Sequence, residues 1–179
     1  MIIGNADIAG AIVDRPEFTF FAAGVSNSGE TRWSELLRES ELLLSQRGVG
    51  PSHLVYFSSL CVLYADTFYA QHKRQMEHLV RQEWSGEYDR TYTIVRLGNI
   101  TWGRNPHTLL NHLRARYAAG YPLDIQDTQR VVHTLDDFRW TLAHVPSWSC
   151  EMHAPGRLLT VRQIVERYVA PLGEFYRVA

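Results

Sequence analysis

Apolar positions fall in short runs separated by longer stretches of helical period. Ile2-Ile3 opens a strand, and Gly4-Asn5-Ala6 makes a small-residue turn into a helix carrying Ile8, Ala9, Ile12 and Val13. Phe18-Thr19-Phe20-Phe21-Ala22-Ala23-Gly24 reads as a buried strand ending in small residues, followed by the polar loop 25–29. From Glu30 to Arg47, Trp33, Leu36, Leu37, Leu42, Leu43 and Leu44 suit an amphipathic helix stopped by Gly48 and Gly50-Pro51. His53 to Ser59 is the next strand, and Met76, Leu79, Val80 and Trp84 give the apolar face of a helix from about Thr67 to Ser85. Tyr92 to Leu97 is a further strand, with a helix from about His107 to Ala119 beyond it. Short extended pieces are expected at 123–125 and 130–133, then a helix from Asp136-Asp137, a strand at 148–153 and a helix at 160–170.

This alternation predicts an α/β fold with a mainly parallel sheet and a helix layer on each face. One domain over 1–179 accommodates it. A composition of 45% hydrophobic and 21% charged residues removes disordered and fibrous classes. The net charge of −1 offers no basic field for nucleic acid or an acidic membrane surface. Cys61 and Cys150 form no CxxC pair and read as reduced thiols, and no apolar run approaches a membrane span, so a cytoplasmic protein is expected. No metal site is expected: His107 and His112 share a helix without a carboxylate at ligand spacing.

The candidate chemistry centres on Tyr69 and Lys73, one helical turn apart. Lys73 is the only lysine beside 17 arginines. A compact ammonium approaches a phenol and also donates to a second acceptor, which a forked guanidinium does poorly. Nearby positive charge lowers a tyrosine pKa and suits it to acid or base work on an alcohol or carbonyl. A solvated Tyr and Lys on an amphipathic helix is the plain alternative. Gly4-x-Ala6-x-x-Ala9 is a loosened G-x-G-x-x-G at a helix start, either a phosphate site or an ordinary tight turn.

Taken in order, these segments resemble the extended short-chain dehydrogenase/reductase superfamily, in particular its NAD-dependent epimerase/dehydratase family acting on nucleotide sugars. Val55 to Val62 is similar to that family's strand ending in a hydroxyl pair, Tyr69-x-x-x-Lys73 to its catalytic pair, Arg96-Leu97-Gly98-Asn99-Ile100 to its R-x-x-N-V segment, and Arg130-x-x-His133-x-x-Asp136-Asp137 to its late R-x-x-H-V-D-D segment. The resemblance implies a Rossmann-like fold to which 104–131 and 146–179 contribute a small C-terminal substrate-binding lobe, NAD or NADP as cofactor, a nucleotide-sugar substrate and a homodimer. It further implies Tyr69 as acid/base, Lys73 lowering the Tyr69 pKa and holding the nicotinamide ribose, and Ser59 on the reacting oxygen, with Ser58 as its substitute. Gly4, Ala6 and Ala9 would surround the pyrophosphate, and Ala22, Ala23 and Gly24 would pass beside the cofactor. Asn99, Arg104 and Arg130 are implied on the substrate side, although Arg130 and His133 equally suit a structural hydrogen-bond corner.

The chain also departs from that pattern. Only Asp14-Arg15-Pro16-Glu17 separates the first helix from the second strand, so a whole β-α-β segment is missing, with the carboxylate that reads the adenosine ribose. Leu60-Cys61 replace the acidic pair of the dehydratases, which ranks dehydration below epimerisation or keto-reduction. Two function classes follow: an NAD(P)-dependent epimerase or ketoreductase, and a non-catalytic ligand-binding or partner subunit of the same fold that no longer uses a dinucleotide.

Overall fold

The computed structural model describes residues 1–86, 89–123, 125–126 and 128–170. Eight strands and six helices appear among them, in the order β1 (Ile2–Ile3), α1 (Asp7–Ala11), β2 (Phe18–Phe21), α2 (Trp33–Leu44), β3 (His53–Ser59), α3 (Phe68–Glu83), β4 (Thr91–Leu97), β5 (Asn99–Ile100), α4 (Leu109–Ala118), β6 (Gln129–His133), α5 (Leu135–Ala143), β7 (Cys150–His153), β8 (Arg157–Thr160) and α6 (Val161–Tyr168). A 3-10 turn, Leu60–Leu63, links β3 to α3. The extended piece expected at 123–125 includes Asp124, which lies outside the described residues.

The expected α/β architecture is present. β1-β2-β3-β4-β7 form a five-stranded parallel sheet, and β5-β6-β8 a smaller mixed one. Strands buried on both faces read as continuous apolar runs, as in Phe18–Phe21, where all four residues are buried. Phe18, Phe20, Val55, Phe57 and Val95 point to one face, packed by Ile8 and Ala11 of α1 and Phe138 and Leu142 of α5. Phe21, Leu54, Tyr56 and Ile94 point to the other, packed by Leu43 of α2 and Met76 and Val80 of α3. Two smaller clusters, one around Leu113, Val161 and Val165 and one around Leu110, Val132 and Ile164, pack α6 against α4 and β6.

Two features follow from the shortened start. The order β1-β2-β3-β4 never reverses, so β1 is an edge strand and the sheet lacks the reversal at which dinucleotide-binding folds open their crevice. In addition, β1, β2 and β3 advance in one direction while α1 and α2 pack on opposite faces, so these two crossovers have opposite hands. Parallel βαβ units are right-handed in about 98% of cases. The chain therefore carries one crossover of the disfavoured hand, at the place where the β-α-β segment is missing.

The α2 stripe also differs from expectation. Trp33 and Leu37 face solvent, at 70% and 55% exposure, and the buried positions are Leu36, Glu39 and Leu43. A carboxylate thus occupies the middle of the helix's buried face.

Candidate active site at the carboxyl ends of β1 to β4

β3 runs apolar through Phe57 and then delivers Ser58 and Ser59 to the carboxyl edge of the sheet. Ser59 caps the following 3-10 turn by accepting the Cys61 N–H at 3.3 Å. Thr67 caps α3 in the same way, accepting from Ala70 N at 3.2 Å. These caps fix where α3 starts, and hence that Tyr69 lies in its first turn and Lys73 in its second. Ser59, Tyr69 and Lys73 are brought together: the Ser59 hydroxyl lies close enough to the Tyr69 phenol to ease its ionisation, and Lys73 Nζ lies 5.9 Å from the Tyr69 ring centre.

Lys73 is held from below. Its Nζ donates to Glu39 Oε1 at 2.9 Å and to Tyr56 OH at 3.1 Å, and the residue is 2% exposed. Glu39 is wholly buried and also accepts from Val25 N at 2.7 Å and Tyr56 OH at 2.7 Å, and pairs with His72 Nε2 at 2.9 Å. Burial alone would raise its pKa, but the Lys73 charge and the hydrogen bonds from His72, Lys73 and Tyr56 hold it well below the ordinary carboxylate range. Gly24 is the floor of this arrangement: a Cβ there would stand 2.7 Å from Lys73 Nζ and 2.8 Å from Glu39 Oε1.

The pairing changes the expected tuning of Tyr69. Its pKa is raised, not lowered, because burial disfavours the phenolate, with further contributions from nearby Cys61 and Glu39; the Ser59 hydrogen bond opposes these. The ammonium that would favour phenolate is neutralised by the carboxylate it touches. At neutral pH the phenol keeps its proton and is set as a donor.

The other expected residues are placed as follows. Gly4 adopts φ +120° and sits against the carboxyl end of β2, where a Cβ would stand 2.6 Å from the Ala22 carbonyl oxygen. Ala6 is the N-cap of α1 without a side-chain cap, and Ala9 is buried in that helix. Ala22 and Ala23 follow β2 beside Gly24. Ser58 faces away from the Tyr69 group and donates to Glu77 Oε1 at 2.7 Å, within an ion cluster joining Arg96, Arg81 and Glu151. Asn99 Nδ2 donates to the Val131 carbonyl at 3.3 Å, tying β5 to β6, and Arg130 NH1 donates to the carbonyl of its neighbour Gln129 at 3.2 Å. Arg104 has an exposed side chain, while its backbone N–H donates to Asp7 Oδ1 at 2.9 Å. His133 is the hydrogen-bond corner: its Nε2 accepts from Gly98 N at 2.7 Å and its Nδ1 meets the Pro155 carbonyl at 2.7 Å. Burial lowers its pKa, against the Pro155 bond and Asp137, and keeps it neutral.

Residues that the motif reading did not single out complete the site. Asp7 accepts both Arg104 N and Asn105 N at 2.9 Å, and Asn105 Nδ2 donates to Ser26 Oγ at 2.8 Å, so loop 103–105 bridges α1 to the loop after β2. The signal for Glu39 was present: a lone carboxylate three residues after Leu36 and four before Leu43 lies on the buried stripe and requires a buried cation. No group of three or more His, Cys, Asp or Glu side chains able to hold a metal occurs among the described residues, nor a helix long and apolar enough to cross a membrane.

The residues present fit one half of a nicotinamide dinucleotide. On the nicotinamide side, the bare strand end Ala22-Ala23-Gly24 and the Ser59–Tyr69–Lys73 group are in place. On the adenosine side no strand lies beyond β1 among the described residues.

No family model and no curated protein matches the sequence. Solved structures do match the fold. The Bordetella bronchiseptica enzyme WbmH, in complex with NAD+, superposes with a TM-score of 0.71 at 15% identity, over 92% of this chain and 62% of that one. UDP-glucuronic acid 4-epimerase from Bacillus cereus, with UDP-glucuronic acid and NAD, gives 0.67 at 14% over 84% and 57%. DesIV, a dTDP-glucose 4,6-dehydratase from Streptomyces venezuelae with NAD bound, gives 0.67 at 18% over 84% and 55%. The chain thus spans 55–62% of the length of these proteins, and its fold is a shortened form of the Rossmann-like fold of NAD-dependent nucleotide-sugar epimerases and dehydratases.

Proposed function

We propose that the chain carries out tyrosine-dependent proton transfer at a hydroxyl or carbonyl carbon of a nucleotide sugar or related hydroxylated metabolite, as a keto-reduction or an epimerisation. The observation that carries this reading is the placing of Ser59 at the end of β3 and of Tyr69 in the first turn of α3, with Lys73 Nζ 5.9 Å from the Tyr69 ring, at the carboxyl edge of a parallel sheet. A bound nicotinamide cofactor, NAD or NADP, supplies the hydride chemistry. The chain's own task is the proton. Tyr69 holds it at neutral pH and donates it to an oxygen brought within about 2.6–3.2 Å, while the Ser59 hydroxyl orients that oxygen. Since the phenol stays protonated, it acts first as a proton donor, the role a keto-reduction asks of it. Arg104 is the substrate-side candidate best placed for a phosphate, because its guanidinium makes no hydrogen bond among the described residues. A homodimer through the outer faces of α2 and α3 would cover Trp33, Leu37 and Phe68, which stand 70%, 55% and 38% exposed.

The test is titration with NADH and NADPH by nicotinamide fluorescence, followed by turnover with UDP-linked keto-sugars. Tyr69→Phe is expected to leave cofactor affinity nearly unchanged and to lower kcat by at least about a hundredfold; retained turnover removes Tyr69 from its role. A second reading, a ligand-binding or partner subunit without oxidoreductase activity, is favoured by the closed Glu39–Lys73 pair, which leaves the ammonium 2% exposed. Absence of nicotinamide binding at millimolar concentration, together with retained binding of UDP-sugars, would make that reading the first.

A further inference from the structure

We infer that this chain recognises only the nicotinamide mononucleotide half of a dinucleotide and leaves the adenosine half without a protein partner; the inference rests on the cofactor reading above and concerns how that cofactor is held. Dinucleotide-binding sheets use two half-sheets, one for each mononucleotide, meeting where the strand order reverses. Here the order β1-β2-β3-β4-β7 runs one way from an edge, so among the described residues the sheet has strands on the nicotinamide side only. The opposite hands of the β1-α1-β2 and β2-α2-β3 crossovers fit the same account, since α1 packs on the face opposite α2 although its strands lead in the same direction.

The ribose-reading carboxylate is missing as well. In the two-half arrangement it follows the first glycine of the turn by about 20 residues, at the end of the next strand. Counted from Gly4, that position is Gly24, which lies on Lys73 Nζ and Glu39 instead of facing open space. The three carboxylates nearest β1 and α1 are committed elsewhere. Asp14 pairs with the Met1 amine at 3.0 Å, at the amino end of β1 and so at the end opposite Gly4. Asp7 is held by Arg104 N and Asn105 N. Glu17 bonds Arg15 Nε at 2.8 Å. Nothing described therefore distinguishes a 2′-hydroxyl from a 2′-phosphate, or an adenosine from its absence. Gly4, by contrast, keeps φ +120° and its close approach to Ala22, so the turn beside the first phosphate is retained.

The experiment compares dissociation constants of the full chain for NADH, NADPH and reduced nicotinamide mononucleotide by fluorescence, with AMP, the adenosine half alone, as competitor. The three are expected to agree within about threefold, and AMP at tenfold excess over NADH to displace none of them. NADH binding tenfold or more tighter than the mononucleotide, a tenfold preference between NADH and NADPH, or displacement by AMP would each overturn the inference while leaving the proposed activity standing. If no nicotinamide compound binds, the cofactor reading fails and this inference falls with it.

Discussion

Glu39 takes up the charge of Lys73 and so limits how far that charge acts on the Tyr69 phenol. A buried carboxylate with four donors around it, one of them the chain's only lysine, is stable as a set and costly to break. Glu39→Ala leaves Lys73 buried without its counter-charge and is expected to lower the unfolding free energy by about 3–5 kcal/mol in urea titration. The double change Glu39→Leu with Lys73→Met is expected to recover most of that loss; if it does not, the ion pair is not the source of the cost. Tyr69 is expected to stay protonated at pH about 10, where an ordinary phenol is half ionised. Ultraviolet titration of the protein and of Tyr69→Phe would then differ little below that pH, and a clear difference would mean that the lysine reaches the phenol.

At the scale of elements, the turns and caps hold the site in place. Gly4 joins β1 to α1 in a conformation that side chains rarely adopt, against the Ala22 backbone. Gly4→Ala is therefore expected to cost at least about 1–3 kcal/mol and to weaken nicotinamide binding, measured by thermal unfolding and fluorescence titration. An unchanged melting temperature would show that the turn is free to rearrange. The main strands were legible: the runs expected as strands at 18–24, 53–59 and 92–97 appear as β2, β3 and β4, β2 ending three residues early at Phe21 and the others within one residue at each end. β8 was not, because Arg157-Leu158-Leu159-Thr160 is short and forms only by pairing antiparallel with β6, a contact without a local signal. Trp33 and Leu37 suited the helix period of α2 but not its buried stripe, since a one-residue rotation of the face is invisible without the sheet beneath it.

For the whole molecule, buried histidines set the acid limb of stability. His53, between Thr91 and Thr93, has its pKa lowered to about 4, chiefly by burial, with Arg15 adding to the shift against the Ser147 hydrogen bond, and His133 is likewise lowered. A histidine held neutral in the fold binds its proton more readily in the unfolded chain. Stability is then complete above pH about 6.5 and falls as the pH drops toward about 4, by on the order of 2 kcal/mol for such a group. The lowered Glu39 acts lower still, its stabilisation fading only as the pH falls below the ordinary carboxylate range. Urea unfolding at pH 7, 5.5 and 4 checks this, and His53→Gln is expected to flatten the upper part of the profile; an unchanged slope would remove His53 as its cause.

The sequence by itself determined the parallel α/β class, the place of the Ser59 and Tyr69–Lys73 groups on a strand end and the helix after it, and the missing β-α-β segment. These are local or nearly local: they depend on periods of two and 3.6, on caps, and on the four residues between α1 and β2. Only the tertiary structure decided that Glu39 of α2 reaches across to Lys73, that Ser58 turns to Glu77 while Ser59 caps the turn after β3, and that β1 ends as an edge with α1 on the other face from α2. Each of these joins residues far apart in the chain, where the cost of burying a charge is settled by whichever partner the packing brings within hydrogen-bond reach.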